Sequence, residues 1–344
     1  MAYKKFLIPA LLTLCILSAA AGCITSPLPQ ETNETITILQ TNGEPLTLPH
    51  TVERIVVLNS NAAELLFTIG AGDKIVGVSQ AALNHPERKL LFPNAVSVGQ
   101  STVPDTEAVF ALHPDLIIAF NSMKPKNADI LENSGIPIAY IDCYKPTVMC
   151  RDVTSLGMIT GNTREADAYL TYVEGIISTV EQRVRTIPES SWPVVYGEFS
   201  SDYSIQGNDT SIDILLGIAG GKNIVTEPLV SSSPKVSNEW IVTKDPDIII
   251  KLITTDTLSE IESTYRNLIS RTGFATLHAV RDNRTYIMRN DLTYGPRSFA
   301  GAVLMAKTLH PDKFEDMDVH SILDQYNTRF NLNFSHDILI YPAS

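Results

Sequence analysis

Between residues 162 and 187 the apolar positions are Ala166, Tyr169, Leu170, Val173, Ile176, Ile177, Val180, Val184 and Ile187, and charges occupy the other faces. This i, i+3, i+4, i+7 recurrence predicts one long amphipathic helix. Asn162 stands where an N-cap is wanted, Glu165 where a capping box places its acid, and Pro188 ends the segment. At about 1.5 Å per residue the helix would run roughly 37 Å, enough to span a domain. Gly175 inside it costs about 1 kcal/mol against Ala, so the prediction rests on the periodicity.

On either side the pattern alternates short apolar runs with helical ones. Ahead of the helix, residues 54–58, 74–78, 116–120 and 137–141 read as strands, and 60–69, 105–112, 127–133 and 147–160 as helices. Ser60 or Asn61 would cap the first of these helices and Gly70 would end it. After the helix, 194–198, 248–252 and 285–288 read as strands, and 211–218, 238–243, 260–270 and 298–309 as helices. One more helix and a short strand follow in 319–344. Continuous apolar strands alternating with helices imply parallel sheets covered on both faces. A hairpin at 35–48, turning at Asn42 and Gly43, opens the first lobe.

The two halves repeat. Residues 68–76 (Thr-Ile-Gly-Ala-Gly-Asp-Lys-Ile-Val) align with 217–225 (Gly-Ile-Ala-Gly-Gly-Lys-Asn-Ile-Val) at an offset of 149. Thr106 and Glu107, with His113-Pro-Asp and the apolar run after it, align with Asn238 and Glu239, followed by Asp245-Pro-Asp, at an offset of 132. The expected architecture is α/β: two Rossmann-like lobes, 35–161 and 189–344, joined by one backbone helix at 162–188, with a ligand cleft between them.

Composition narrows the class. Apolar residues make up 44% and charged residues 19% of 344, which is globular, and a net charge of −12 is unlike a nucleic-acid binder. Lys4 and Lys5 precede an apolar run that closes on Ala19-Ala-Ala-Gly-Cys23, the layout of a signal peptide over 1–22. Its removal takes two lysines and no acid, moving the charge to −14. Residues 23–34, with their Pro, Thr and Asn, read as a tether. Cys143 and Cys150 then form an even pair in an oxidising compartment, either a disulfide or two free thiols. Asn33, Asn208, Asn283 and Asn333 each open an N-x-S/T triplet, a pattern common by chance.

Ligands in open α/β sheets bind beyond the carboxyl ends of the strands. Those ends offer Asn59, Ser60, Gln80, Asn121, Tyr144 and Tyr203 here, with Lys235, Ser231 and Ser232 on the loop before residue 238. A Tyr after a strand is as readily a packing residue. No G-x-S-x-G, P-loop, G-x-G-x-x-G or H-E-x-x-H is present, and the seven histidines are scattered, so neither an enzyme nor a resident cofactor or metal is expected.

The combination of Arg54-Ile-Val-Val-Leu-Asn, Ile69-Gly-Ala-Gly-Asp-Lys-Ile-Val, Glu107 ahead of His113-Pro-Asp, Ala219-Gly-Gly-Lys-Asn-Ile, Glu239 ahead of Asp245-Pro-Asp, and Gly295-Pro-Arg297 resembles a known family. It is similar to the helical-backbone (class III) substrate-binding proteins of ABC importers, which take ferric siderophores, haem and vitamin B12. The resemblance covers about residues 35–314. The Ala-Gly-Cys ending resembles a lipoprotein box, with Ala20 where that box prefers Leu, and makes Cys23 the lipidation site.

The resemblance implies an extracytoplasmic lipoprotein, monomeric, anchored on the outer face of the cytoplasmic membrane and delivering one ligand to an ABC permease dimer with its ATPase. It assigns Glu107 and Glu239, one per lobe, to docking on the permease; a carboxylate in a first helical turn also simply favours the helix dipole. It puts Arg297 in the cleft, where a guanidinium fork would hold an anionic iron chelate; a structural pairing is the alternative. A siderophore-type iron chelate is the expected ligand. Corrinoid or haem binding by the same fold is the alternative. Phe120 matches one of the aromatic positions of the cobalamin binders while most others are small or polar here, and Tyr144 or Tyr203 would serve as a haem axial ligand. From another class, a free metal-ion binder or a non-transport surface protein remains, and the latter has no need for the glutamate pair.

Overall fold

The computed structural model describes residues 35–84, 86–226 and 234–343. The signal segment, Cys23, the tether, His85, Ser231 and Ser232 lie outside the described residues.

The chain opens with the expected hairpin, β1 (Ile36–Leu39) against β2 (Pro45–Leu48), turned by Gly43 at φ 87°. β3 (Ile55–Val57), α1 (Ser60–Thr68) and β4 (Ile75–Val78) follow. Then come α2 (Gln80–Asn84), α3 (Pro86–Leu91), β5 (Val96–Ser97) and the small hairpin β6 (Gly99–Gln100) with β7 (Val103–Pro104), none of which the hydrophobic pattern announces. α4 (Thr106–Ala111), β8 (Leu116–Ala119), α5 (Ala128–Glu132), β9 (Ile138–Tyr140) and α6 (Pro146–Thr160) complete the lobe. Its sheet runs β5-β4-β3-β8-β9, all parallel. Every residue of β3 and β8 is buried, because helices cover both faces.

The linker is α7 (Thr163–Val184), a single 22-residue helix. Asn162 makes no side-chain cap, and Glu165 pairs with Arg164, so the expected capping box is absent. The amide of Asn162 sits instead against Gly70. Gly157 of α6 faces Ala166, and a Cβ there would come within 2.6 Å of the Ala166 Cβ; that close approach lets α6 and α7 pack.

The second lobe contains β10 (Val194–Glu198), α8 (Ser211–Ala219), β11 (Lys222–Asn223), α9 (Asn238–Lys244), β12 (Ile248–Ile253), α10 (Leu258–Ile269), α11 (His278–Arg281) and β13 (Thr285–Arg289). α12 (Ser298–Leu309), α13 (Pro311–Phe314), α14 (Val319–Arg329) and β14 (Ile340–Tyr341) end it. The sheet order is β11-β10-β12-β13-β14, with only β14 antiparallel.

The repeat seen in the sequence is physical. His113 and Asp245 both take left-handed backbone, at φ 45° and 44°. Two positions on, Asp115 accepts the amides of Glu53 and Arg54, and Asp247 accepts the amide of Val194, at the entrance to each lobe's first strand. The helix ends need one correction. Gly70 (φ 80°) and Gly220 (φ 79°) are the equivalent residues that end α1 and α8, an offset of 150 rather than 149. The first lobe's additional residues between the repeated blocks fold as α2 to β7.

Candidate functional site

The carboxyl ends of the parallel strands of both lobes meet along one seam. Tyr144, after β9, stacks on Tyr294 of the second lobe with ring centroids 5.7 Å apart, and Phe199, after β10, meets the same ring at 5.8 Å. The Tyr294 hydroxyl donates to Gln206 Oε1 at 2.7 Å, which fixes its ring. The Ser211 hydroxyl donates to the carbonyl of Tyr144 (3.3 Å) and to that of Thr293. Lys145 and Asp209 pair at 3.0 Å across the seam. The outcome is a half-buried aromatic wall of Tyr144, Tyr294 and Phe199, contributed by both lobes.

Beside it, β10 and β12 place a buried charge network. The Glu198 carboxylate, wholly buried, accepts from Lys251, from both terminal nitrogens of Arg271 (2.6 and 2.9 Å), from the Tyr196 hydroxyl (2.7 Å) and from the Tyr203 amide (3.1 Å). Asp202 adds contacts to Lys251 at 2.9 Å and Arg271 at 2.8 Å. Two buried cations thus face the buried Glu198 carboxylate, which is how its charge is held out of water, and the exposed Asp202 completes the pairing from the solvent side. Burial pushes the Glu198 carboxyl up, but Arg271 and Lys251 outweigh it and hold it below its usual range. The Arg271 guanidinium lies 4.3 Å from the Tyr203 ring centroid, so the network also seats Tyr203, which has left-handed backbone at φ 64°. Lys235 pairs by backbone with Ser204, next to Tyr203, and its side chain is exposed.

The other expected residues divide. Half-buried Asn121 stands at the end of β8, and the amide and hydroxyl of Ser122 both donate to Asp142 Oδ1 at 2.9 Å. Gln80 is exposed and tied locally, accepting from Ser97 and donating to Asn84, each at 2.8 Å. Ser60 opens α1 half-buried. Asn59 is spent on the fold. It is buried, accepts the Asn61 and Ala62 amides as the real cap of α1, and donates to the carbonyls of Ile141 and Asp142. That uses all its hydrogen-bonding directions, so it is not a free ligand donor.

Arg297 is likewise structural. It is 2% exposed. Its Nε donates to Glu64 Oε1 at 3.0 Å, another nitrogen reaches Asp291 Oδ2 at 3.0 Å, and Phe334 covers its face at 4.0 Å. Arg88 and Arg289 complete the cluster on Glu64 and Asp291. Burial alone would raise Asp291, but Arg297 and Arg289 hold it at about 2. The guanidinium offered for an anionic chelate is therefore committed to a junction between α1 and the second lobe.

Sequence reasoning missed Tyr294, Phe199 and the Lys251 network. Lys251 carried a usable signal, being a lone cation inside a six-residue apolar strand, where it must be paired. Tyr294 and Phe199 carried none, since their meeting depends on how the lobes are set.

Glu107 and Glu239 are both exposed at the first turns of α4 and α9. Asp105 caps the first helix and Ser237 the second, so the two sites match in local structure. Cys143 and Cys150 are not joined. Cys143 is buried with its amide on Asp152, which also accepts from Thr41 of the β1–β2 turn, and Cys150 is exposed in the first turns of α6. Among the described residues no group of three His, Cys, Asp or Glu side chains could hold a metal, and no helix is long and apolar enough to cross a membrane.

The model of the periplasmic binding protein family matches residues 55–292. The chain belongs to that family. It is 26% identical over 289 residues to an uncharacterized ABC transporter substrate-binding lipoprotein of Bacillus subtilis, spanning 82% of this chain and 87% of that one. A cobalamin-binding protein of Halobacterium salinarum is 28% identical over 271 residues, covering 77% of this chain and 71% of its own. Among solved structures, the molybdate periplasmic binding protein MolA of Haemophilus influenzae superposes with a TM-score of 0.74 at 16% identity, over 88% of this chain and all of that one. A periplasmic heme-binding protein of Pseudomonas aeruginosa does so at 0.63 and 22%, over 76% and 93%. These structural likenesses establish the two-lobed class III fold. The protein is thus an extracytoplasmic substrate-binding protein of an ABC transporter, a family of transport proteins rather than enzymes.

Proposed function

We propose that this periplasmic binding protein captures a corrinoid-type metal macrocycle in the cleft between its lobes and presents it to an ABC permease. The observation that carries this reading is the cluster of Tyr144, Tyr294 and Phe199, which brings half-buried aromatic rings from both lobes together at the seam, the surface chemistry that suits a large flat ligand. The burial of Arg297 removes the guanidinium on which an anionic siderophore reading relied. The cobalamin-binding relative at 28% identity supports the same choice. The second reading, a siderophore-type iron chelate, rests on the cations Lys145, Lys124 and exposed Lys235 near the strand ends.

In this reading Asn121, Ser60, Gln80 and Tyr203 furnish polar contacts at the rim. Cys23 carries the lipid anchor, the protein acts as a monomer, and Glu107 and Glu239 dock on the permease dimer. Lobe movement is small, because the continuous helix α7 and the Glu64–Arg297 junction have few soft torsions to yield. The test is a tryptophan-fluorescence titration of residues 24–344 against cobalamin, cobinamide, haem, ferric hydroxamates, ferric catecholates and divalent metals. Saturable one-to-one binding of the corrinoids alone is expected. Binding of ferric chelates alone would move the ligand to the second reading, and binding of free metal ions alone would remove both.

A further inference from the structure

Two residues beyond Tyr144 the seam opens into a separate cavity of about 270 Å³. Its walls come from α6 of the first lobe, the linker helix α7, and α8 and α12 of the second lobe. The lining is largely apolar, with Met149, Val173, Ile177, Ile214, Ile218 and Phe299. Met149 and Phe299 are core residues, and the four branched side chains are half-buried around the opening.

Its charge is one-sided. Glu174 and Glu181 line it, and no Lys, Arg or His does. Glu181 has an exposed contact at 3.4 Å with Arg185 one turn on, a pair that solvent screens strongly. Glu174 is exposed beside Cys150, whose thiol is pushed up by burial and then by the Glu174 charge. An apolar wall takes a hydrocarbon, and carboxylates without a counter-charge in the lining select a cation at its end.

The geometry points to a second binding site, at the lobe seam, for a small cationic amphiphile: an alkyl chain or ring system carrying an ammonium group. The occupant touches both lobes and the linker at once. α6 leads directly out of Tyr144, and Ser211 at the start of α8 donates to the Tyr144 carbonyl, so the site adjoins the support of the aromatic wall. Its existence does not depend on which ligand the cleft takes.

The test follows alkylation of Cys150 by iodoacetamide in the full chain, read by peptide mass mapping. The protein is titrated with octyltrimethylammonium, and with octyl sulfate and octyl glucoside as anionic and uncharged controls, each below its micelle concentration. Octyltrimethylammonium should slow Cys150 alkylation saturably, by about tenfold at full occupancy. In a Glu174→Gln/Glu181→Gln variant its half-saturation should weaken by roughly threefold to tenfold. Ile218→Trp, which fills the cavity, should abolish protection; where that variant does not fold, the glutamine variant alone decides. Equal protection by octyl sulfate, absence of saturation, or unchanged half-saturation in the glutamine variant would overturn the assignment.

Discussion

Arg297 and Glu64 meet across the junction of the lobes, Nε 3.0 Å from Oε1, with both side chains almost wholly out of water. Glu64 belongs to α1 and Arg297 to the turn that enters α12, so this pair ties the first lobe to the second. Arg88 holds the other Glu64 oxygen at 3.1 Å.

Truncating one member of a buried pair strands the other charge. Arg297→Ala should therefore destabilise the protein by about 3 kcal/mol or more. Arg297→Lys, which keeps the charge without the fork, should fall between that and wild type. Urea unfolding midpoints give the comparison, and an unchanged midpoint in Arg297→Ala would show the pair to be idle.

Asp152 has the opposite electrostatics. It is buried, accepts twice from the Thr41 hydroxyl (2.9 and 3.0 Å) and from the Cys143 amide (2.9 Å), and faces Asp142 and Arg151. Burial outweighs those donors and pushes its carboxyl up to about 6. The folded state then holds a proton that the unfolded chain has released, so this group's contribution to stability falls as pH rises from about 4 through 6, by roughly 3 kcal/mol in total. Asp152→Asn removes that slope. The stability difference between variant and wild type should move in the variant's favour between pH 4.5 and 7.5, and a pH-independent difference would refute the titration.

Gly175 lies mid-way along α7, with open space where a Cβ would be. Gly175→Ala meets no clash and should stabilise the protein by about 0.5–1 kcal/mol, measured by thermal or chemical unfolding. A loss of stability would mean that the linker needs the glycine's backbone freedom.

If the aromatic wall binds the ligand, Tyr294→Ala should weaken corrinoid affinity about tenfold, while Tyr294→Phe, which keeps the ring and loses the bond to Gln206, should cost less. Calorimetric titration of both variants separates stacking from hydrogen bonding.

Glu107→Lys combined with Glu239→Lys should abolish uptake in cells and leave ligand affinity within about twofold, because both carboxylates are exposed on short helices and reversing such surface charges costs little stability. Uptake that survives the double reversal removes the docking role.

The sequence alone determined what depends on local periodicity. The 3.6-residue recurrence defined α7 to within a few residues, continuous apolar runs marked the parallel strands, and the X-Pro-Asp motifs marked the internal repeat, while the structure added that their aspartates close each lobe's first strand. The same motifs carried the family. Short elements such as α2, α3 and the β6–β7 hairpin escaped, since five or six residues hold too little periodic signal. The fate of individual polar side chains was decided only in three dimensions. Arg297 and Asn59 both follow strands and were eligible for the cleft, whereas Tyr294 was not singled out; Glu64, 233 positions from Arg297, holds that guanidinium in the fold, and Gln206, 88 from Tyr294, holds that ring at the seam. Partners so distant in sequence meet only once both lobes have been packed on the linker helix, and no local pattern records that distance.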